Sequence, residues 1–222
     1  MSQLLEHIEI ETAPNPSIAI VWLHGLGADG NDFVPIVREL DLSGLPGIRF
    51  VFPHANTMPV TINGGYVMRS WYDISNADLS RREDEGGLRA SQRDVEALIA
   101  REKSRGIPAS RIILAGFSQG CAMTLQTGMR HPEKLAGMLC LSGYLPLAPV
   151  VAAERSEESL GTPVFMAHGT HDNVVPFVRA QQSAQVLKDL GYQVEWHQYT
   201  MQHSLCLEEV QDISKWIRKV LA

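Results

Sequence analysis

Short runs of consecutive apolar residues recur along the chain, each bounded by glycine, proline or polar residues. Such runs are typical of strands buried on both faces of a sheet. Segments 5–10 and 194–199 alternate between apolar and polar positions, which predicts two further strands, the first at a sheet edge. The continuous runs predict strands at 18–23, 48–52, 111–115, 135–141 and 164–167.

Between these strands, apolar residues recur every three or four positions, as on the buried face of an amphipathic helix. Gly106 and Gly191 follow two of these stretches and are typical helix ends. Segment 146–161 has no clear pattern and is interpreted as a loop or short helix. The periodic stretches predict helices at about 31–40, 88–105, 121–130, 177–190 and 205–221.

Strands that alternate with helices predict right-handed crossovers and a mostly parallel central sheet with helices on both faces. The chain has 222 residues, a length that fits one α/β domain spanning 1–222. Prolines and glycines break the pattern from about 53 to 86. We expect this cap-like excursion to be functional or to carry small elements of its own.

Composition narrows the function classes. The net charge of −6 comes from interspersed acidic and basic residues, so no basic surface for nucleic acid is predicted. Three cysteines do not make a disulfide framework and favour a reducing, cytoplasmic location. The N-terminus lacks a signal-peptide pattern, and no apolar run approaches the about 18 residues of a membrane span.

The sequence Gly116-Phe117-Ser118-Gln119-Gly120 joins a predicted strand to a predicted helix. A sharp turn at this junction exposes a serine nucleophile, and flanking glycines give the neighbouring backbone room. A serine hydroxyl needs a histidine to accept its proton and a carboxylate to orient that histidine. The carboxyl ends of parallel strands form one edge of the sheet, where ligands bind.

Of the histidines after Ser118, only His203 lies in the loop between the last strand and the last helix. It is the candidate base, although a surface or helix-start histidine would fit the same position. Asp172 follows a buried strand and is the candidate acid, although aspartate also favours helix-start turns. The same region could also be read as the site of a metallohydrolase that uses His168, His171 and Asp172. The spacing of these residues is not that of a helical zinc motif, which argues against it.

An oxyanion needs two backbone N–H groups as donors. Gln119, directly after the candidate nucleophile, supplies one candidate, and Leu26 in the glycine-rich loop 24–30 supplies the other. That loop lacks Gly-x-Gly-x-x-Gly and a lysine-bearing phosphate motif, so a nucleotide site is not predicted, and no cofactor is expected.

Seven blocks stand in the order found in one family: His24–Gly27, Pro53–Ala55, Pro59–Gly65, Ser70–Asp73, Gly116–Gly120, His168–Pro176 and His203-Ser204. From about Ile18 onward, the chain closely resembles the small bacterial carboxylesterases of the acyl-protein thioesterase, or lysophospholipase-like, family. The resemblance implies an α/β-hydrolase fold.

Carried onto this chain, the resemblance makes Ser118 the nucleophile, Asp172 the acid, His203 the base, and Leu26 and Gln119 the oxyanion donors. It implies a shallow apolar groove or tunnel for an acyl chain and, often, weak homodimers that cover it; no metal is expected. The candidate groove residues are Leu26, Met68, Trp71, Val175 and Leu205.

Two residues depart from the family pattern. Cys121 and Gln202 stand where the family usually has glycine. We expect Cys121 to fit if its helix packs less tightly against the neighbouring strand. If position 202 requires a positive φ, Gln202 costs about 1 kcal/mol and the His203 loop takes a different path.

The sequence therefore predicts a metal-independent serine esterase that forms an acyl-enzyme on Ser118. Small esters, lysophospholipids and protein S-acyl groups all remain open as substrates. The alternative is a non-catalytic binding or scaffold protein on the same fold, since fold does not determine function. Labelling by a fluorophosphonate distinguishes the two.

Overall fold

The computed structural model describes residues 4–75 and 83–222. Within these residues the strands are β1 (His7–Glu11), β2 (Ile18–Leu23), β3 (Ile48–Pro53), β4 (Thr57–Val60), β5 (Tyr66–Arg69), β6 (Ile112–Phe117), β7 (Gly137–Leu141), β8 (Val164–Gly169) and β9 (Val194–Tyr199). The helices are α1 (Ile36–Glu39), α2 (Glu85–Ser104), α3 (Gln119–Gly128), α4 (Ala148–Glu154), α5 (Phe177–Asp189) and α6 (Leu207–Leu221).

The central sheet has the strand order β1-β3-β2-β6-β7-β8-β9. β1 pairs with β3 in antiparallel register, and the other neighbouring pairs are parallel. The mostly parallel sheet and the edge position of the first strand confirm the sequence prediction. The excursion contributes a separate antiparallel hairpin of β4 and β5.

The core lies on both faces of the sheet. Along β2, Ala19, Val21 and Leu23 pack into the layer under α2 and α3. The intervening residues Ile18, Ile20 and Trp22 pack into the opposite layer, which includes Trp216 of α6. Successive strand side chains point to opposite faces, so a strand with helices on both sides must be apolar throughout.

The segment before α1 differs from the prediction of a helix over 31–40. The helix begins at Ile36, and the preceding residues form turns in which Asp32 and Val34 donate to Asp29 and Asn31. Pro35 has no N–H to donate, so it fits ahead of the first helical residue but not inside a longer helix.

The two poorly patterned segments contain short elements. The excursion holds the hairpin and a 3₁₀ turn at Thr61–Asn63, while its residues 76–82 lie outside the described ones. The later segment, 146–161, forms α4 and a 3₁₀ turn at Glu158–Gly161. These elements are too short for periodicity to reveal them.

Parallel pairing brings the carboxyl ends of β2, β6, β8 and β9 to one edge of the sheet. The loops after these strands carry Leu26, Ser118, Asp172 and His203, respectively. The fold thus brings the four predicted loops together.

Candidate active site

Ser118 occupies the corner between β6 and α3 with φ of 56° and ψ of −116°. A positive φ is strained for a residue with a side chain, and such strain is common at functional sites. The two flanking glycines allow the corner to form. A Cβ on Gly116 would lie 2.2 Å from the carbonyl oxygen of Gly120, and one on Gly120 would lie 2.2 Å from that of Leu23.

Three side chains form a hydrogen-bonded relay at this corner. The Oγ of Ser118 lies 2.9 Å from Nε2 of His203. The Nδ1 of the same imidazole lies 2.7 Å from Oδ2 of Asp172. With the proton on Nδ1, the imidazole donates to the carboxylate and leaves Nε2 free to accept the serine proton.

The carboxylate of Asp172 is fixed by four contacts. Its Oδ1 accepts backbone N–H bonds from Val174 and Val175, both at 2.9 Å. Its Oδ2, besides facing His203, lies 3.3 Å from Nε2 of His168. The side chain of Asp172 is fully buried, so these donors replace water around the charge.

His168 holds the turn that carries this carboxylate. Its buried Nε2 lies 2.9 Å from the carbonyl oxygen of Val175 and donates to it. Burial lowers the pKa of His168, which keeps the imidazole neutral. The position of His168 at the end of a strand, just before Gly169, predicts that it shapes the loop, and its bond to Val175 agrees with that interpretation.

The loop before α6 approaches β8 closely enough to deliver His203. The N–H groups of Thr170 and His171 donate to the carbonyls of Tyr199 and Met201. A Cβ on Gly169 would lie 2.4 Å from the carbonyl oxygen of Gln202, so the approach depends on that glycine. Gln202 is not among the residues with positive φ, and the strain expected there does not arise.

Leu26 and Gln119, the two predicted oxyanion donors, lie beside the same cavity. As the first residue of α3, Gln119 has an N–H with no acceptor within the helix. Leu26 lies in a turn in which Ala28 donates to the carbonyl of Gly25. Both residues line a cavity together with Ser118.

His24 fixes the loop that carries Leu26. Its imidazole is buried between the carbonyl oxygen of Gly25, 2.7 Å from Nδ1, and the N–H of Ala55, 3.0 Å from Nε2. Nδ1 therefore donates and Nε2 accepts. Burial lowers the pKa of His24 to about 4, so it is neutral near pH 7. The glycine-rich sequence around His24 predicts a loop but carries no signal of this function.

The side chain of Gln119 ties the corner to the excursion. Its Oε1 accepts from the N–H of Trp71 at 2.9 Å, and its Nε2 donates to the carbonyl of Tyr72 at 2.7 Å and to Ser70 Oγ at 3.0 Å. The side chain of the residue after the serine thus holds residues 70–72 of the excursion against the corner.

A mostly apolar cavity of about 240 Å³, called the apolar cavity below, opens beside Ser118. Of the predicted groove residues, Leu26 and Val175 line it. The residues that line it with them include Ile62, Tyr72, Tyr144 and Val174.

Trp71, predicted for the groove, belongs instead to the core. Its side chain is 2% exposed, and its indole N–H donates to the carbonyl of His24 at 2.9 Å. Half-buried Met68 lies against Gly27, and half-buried Leu205 packs against the core layer under α6. None of these three lines the apolar cavity.

Cys121 is accommodated by a glycine opposite it. The cysteine is fully buried, and a Cβ on Gly143 would lie 2.5 Å from both its Cβ and its Sγ. The room comes from the missing side chain at Gly143, so the looser helix that we expected is not required.

Two members of the proposed metal set have other partners: Asp172 belongs to the relay, and Nε2 of His168 donates to the carbonyl of Val175. Among residues 4–75 and 83–222, no group of three or more His, Cys, Asp or Glu side chains is arranged to hold a metal ion. His171, the remaining member of the proposed metal set, is exposed.

Comparison with known proteins decides the family. Residues 5–221 match the family model described as phospholipase/carboxylesterase. The chain belongs to this family. A relative from Yarrowia lipolytica, acyl-protein thioesterase 1, is 38% identical over 205 residues, which cover 90% of each chain.

Two solved structures have the same architecture. Arabidopsis thaliana SOBER1 superposes with a TM-score of 0.87 at 33% identity, covering 92% of this chain and 99% of that one. Zea mays acyl-protein thioesterase 2 gives a TM-score of 0.82 at 29% identity, covering 97% and 99%. The fold is therefore the α/β-hydrolase fold that the resemblance implied.

Membership of this family makes the protein a carboxylic ester hydrolase, and the non-catalytic alternative is not favoured. Within the described residues, none of the helices combines the length and apolar character needed to cross a membrane.

Proposed function

We propose that this chain is a serine carboxylesterase that hydrolyses esters and thioesters through an acyl-enzyme on Ser118. One observation carries the proposal: an unbroken relay, with contacts of 2.9 and 2.7 Å, ends at a strained serine beside an apolar cavity. Relatives named acyl-protein thioesterase support thioesters as part of the substrate range. Lysophospholipids also offer an acyl ester of the required chemistry.

In the proposed reaction, Ser118 Oγ attacks the carbonyl carbon while Nε2 of His203 takes its proton. The N–H groups of Leu26 and Gln119 stabilise the oxyanion that forms. Collapse breaks the bond to the alcohol or thiol, which leaves with the proton from His203. Water then attacks the acyl-enzyme by the same route and releases the acid.

Asp172 orients His203 and stabilises the imidazolium that each attack produces. Its four contacts keep this carboxylate from turning toward solvent. His24, which is neutral, holds the Leu26 loop without placing a second positive charge beside the imidazolium.

A cytoplasmic location and a weak homodimer over the groove belong to the same proposal. Three cysteines without disulfides support the location. Ile62 and Val174, 42% and 59% exposed at the cavity rim, support a covering partner. Sedimentation velocity over a concentration series tests the dimer: a mass that stays at one chain throughout would contradict it.

A fluorophosphonate probe tests the nucleophile. The serine Oγ displaces fluoride from phosphorus, and we expect mass spectrometry to find the adduct on Ser118. Ser118→Ala should lose the label and lower the turnover of p-nitrophenyl butyrate about 10⁴-fold or more. Ser204→Ala, which changes an exposed serine beside His203, is the control and should behave as wild type. Substantial turnover by Ser118→Ala would refute the proposal.

A further inference from the structure

Two tyrosines close the buried end of the apolar cavity. Tyr72 follows the β4–β5 hairpin, Tyr144 follows β7, and the two side chains are 2% and 3% exposed. At the other end, Ile62 and Val174 are 42% and 59% exposed. The exposed pair marks the mouth of the cavity, and its inner wall is formed by buried side chains that include Tyr72 and Tyr144.

The two rings are joined by their hydroxyl groups. The hydroxyl oxygens lie 2.9 Å apart, so one donates to the other. Burial raises the pKa of Tyr144 to about 12 and that of Tyr72 as well, so both remain protonated at neutral pH. A chain that pushed between the rings would leave buried hydroxyls without partners, which is unfavourable.

The wall is supported from behind. The guanidinium carbon of Arg179 lies 4.0 Å from the centroid of the Tyr144 ring, in a cation–π contact. Arg179 also pairs with Glu83 at 3.5 Å, and Glu83 accepts the N–H of Leu147 at 2.9 Å. The ring of Tyr144 is thus held on both its edge and its face.

Behind this support lies a second cavity of about 280 Å³, lined by Glu83, Leu145, Arg179 and Val186 among others. Tyr144 and the guanidinium stacked on it separate this space from the apolar cavity. The protein therefore contains apolar volume that could take the distal part of a long chain, but a wall of paired side chains closes it.

The volume of the apolar cavity limits the length of the acyl chain that it can hold. If each methylene takes about the 30 Å³ share of a liquid water molecule, the cavity of about 240 Å³ holds about eight carbons. We propose that Tyr72 and Tyr144 are specificity-determining residues that limit the acyl group to about eight carbons. The substrates would then be esters and thioesters of short and medium-chain acids. This inference rests on the proposed function.

A series of p-nitrophenyl esters tests the limit: acetate, butyrate, hexanoate, octanoate and dodecanoate, assayed below their solubility limits. With wild type, kcat/KM should rise to octanoate by up to about fourfold per methylene. It should then fall about tenfold or more for dodecanoate. Wild-type activity on dodecanoate equal to that on octanoate would overturn the inference.

Tyr144→Ala removes the ring and enlarges the pocket toward Arg179. We expect its ratio of kcat/KM for dodecanoate to that for octanoate to rise at least about tenfold above wild type. Tyr192→Ala is the matched control. Tyr192 is also buried and pairs its hydroxyl with Ser159 at 2.6 Å, but it does not line the apolar cavity, so its ratio should match wild type.

A second variant covers the case in which Tyr144→Ala does not fold. The double change Tyr72→Phe with Tyr144→Phe keeps both rings and removes the hydrogen bond between them. The rings should then separate more easily, and the ratio of kcat/KM for dodecanoate to that for octanoate should rise about threefold. A wild-type ratio in every folded variant would overturn the inference.

The two proposals fail in different ways. If Ser118→Ala retains ester turnover, the proposed function is wrong whatever the chain-length profile. If Ser118→Ala is inactive and the profile does not respond to the wall, the length limit alone is wrong.

Discussion

The relay and the apolar cavity meet at Ser118 but are built differently. The relay residues stand at the ends of β6, β8 and β9, and each polar atom has a partner at a fixed distance. The cavity is made from the excursion and from loops, and most of its contacts are apolar. Hydrogen bonds require one geometry, whereas apolar contacts require only matching volume.

Because of this difference, substitutions in the two regions should affect activity in different ways. Damage to the relay should reduce turnover of every ester by the same factor, because every ester undergoes the same proton transfers. Damage to the cavity wall should change the order of preference among esters. A variant that did both would identify a residue shared by the two regions.

Asp172→Asn should have the largest effect. Oδ1 accepts two backbone N–H groups, so the amide oxygen of asparagine stays there and its NH₂ faces Nδ1 of His203. The imidazole then carries its proton on Nε2 and cannot accept one from Ser118. We expect kcat to fall about 10³- to 10⁴-fold, by the same factor for acetate and octanoate.

The matched control for this prediction is Asp189→Asn. Asp189 is an exposed aspartate at the end of α5 that accepts from Gln185, and its change should leave kcat as in wild type. A loss for Asp172→Asn that differed strongly between acetate and octanoate would show that the relay also shapes the cavity.

Gln119→Ala tests the residue that the two regions share. The backbone N–H remains, but Trp71 and Tyr72 lose the side chain that holds them. We expect kcat/KM to fall about tenfold and the preference among chain lengths to flatten. Gln126→Ala, a buried glutamine on the same helix bonded to Gln92, should preserve the preference. A tenfold loss with an unchanged preference would limit Gln119 to the relay.

The sequence predicted the relay much better than the cavity for a physical reason. A strand buried on both faces leaves a continuous apolar run, and the loop that follows it must lie at one edge of the sheet. Ser118, Asp172 and His203 could therefore be predicted from their positions after strands. The relay distances confirm that they meet, while their catalytic roles stay predictions until the variants are measured.

No comparable rule links Tyr72 to Tyr144. They are 72 positions apart, and their contact depends on how the excursion folds over the site. Trp71, predicted for the groove, lies in the core, and the sequence could not show this because a core side chain and a groove side chain have the same sequence signature. The turn before α1 was missed because its apolar spacing resembles a helix and Pro35 stops it.

A substitution at Glu209 should have the smallest effect on activity, but it should change how stability depends on pH. It lies in the first turn of α6, outside the relay and the apolar cavity, with a fully buried side chain. Burial raises its pKa to about 8. Because the folded protein holds this proton more tightly than the unfolded chain, the associated stability is complete below about pH 4.5 and is lost as pH rises toward 8.

Glu209→Gln keeps the shape and removes the ionisation. Near pH 5 we expect the variant and wild type to unfold at similar denaturant concentrations. Near pH 8.5 the variant should be more stable by on the order of 3 kcal/mol, with kcat/KM for acetate within about twofold of wild type. Glu208→Gln, an exposed neighbour in the same turn, should show no such pH dependence. If the Glu209→Gln advantage were equal at both pH values, the buried carboxyl would not be the titrating group. If kcat/KM fell with it, the start of α6 would belong with the His203 loop in the relay region.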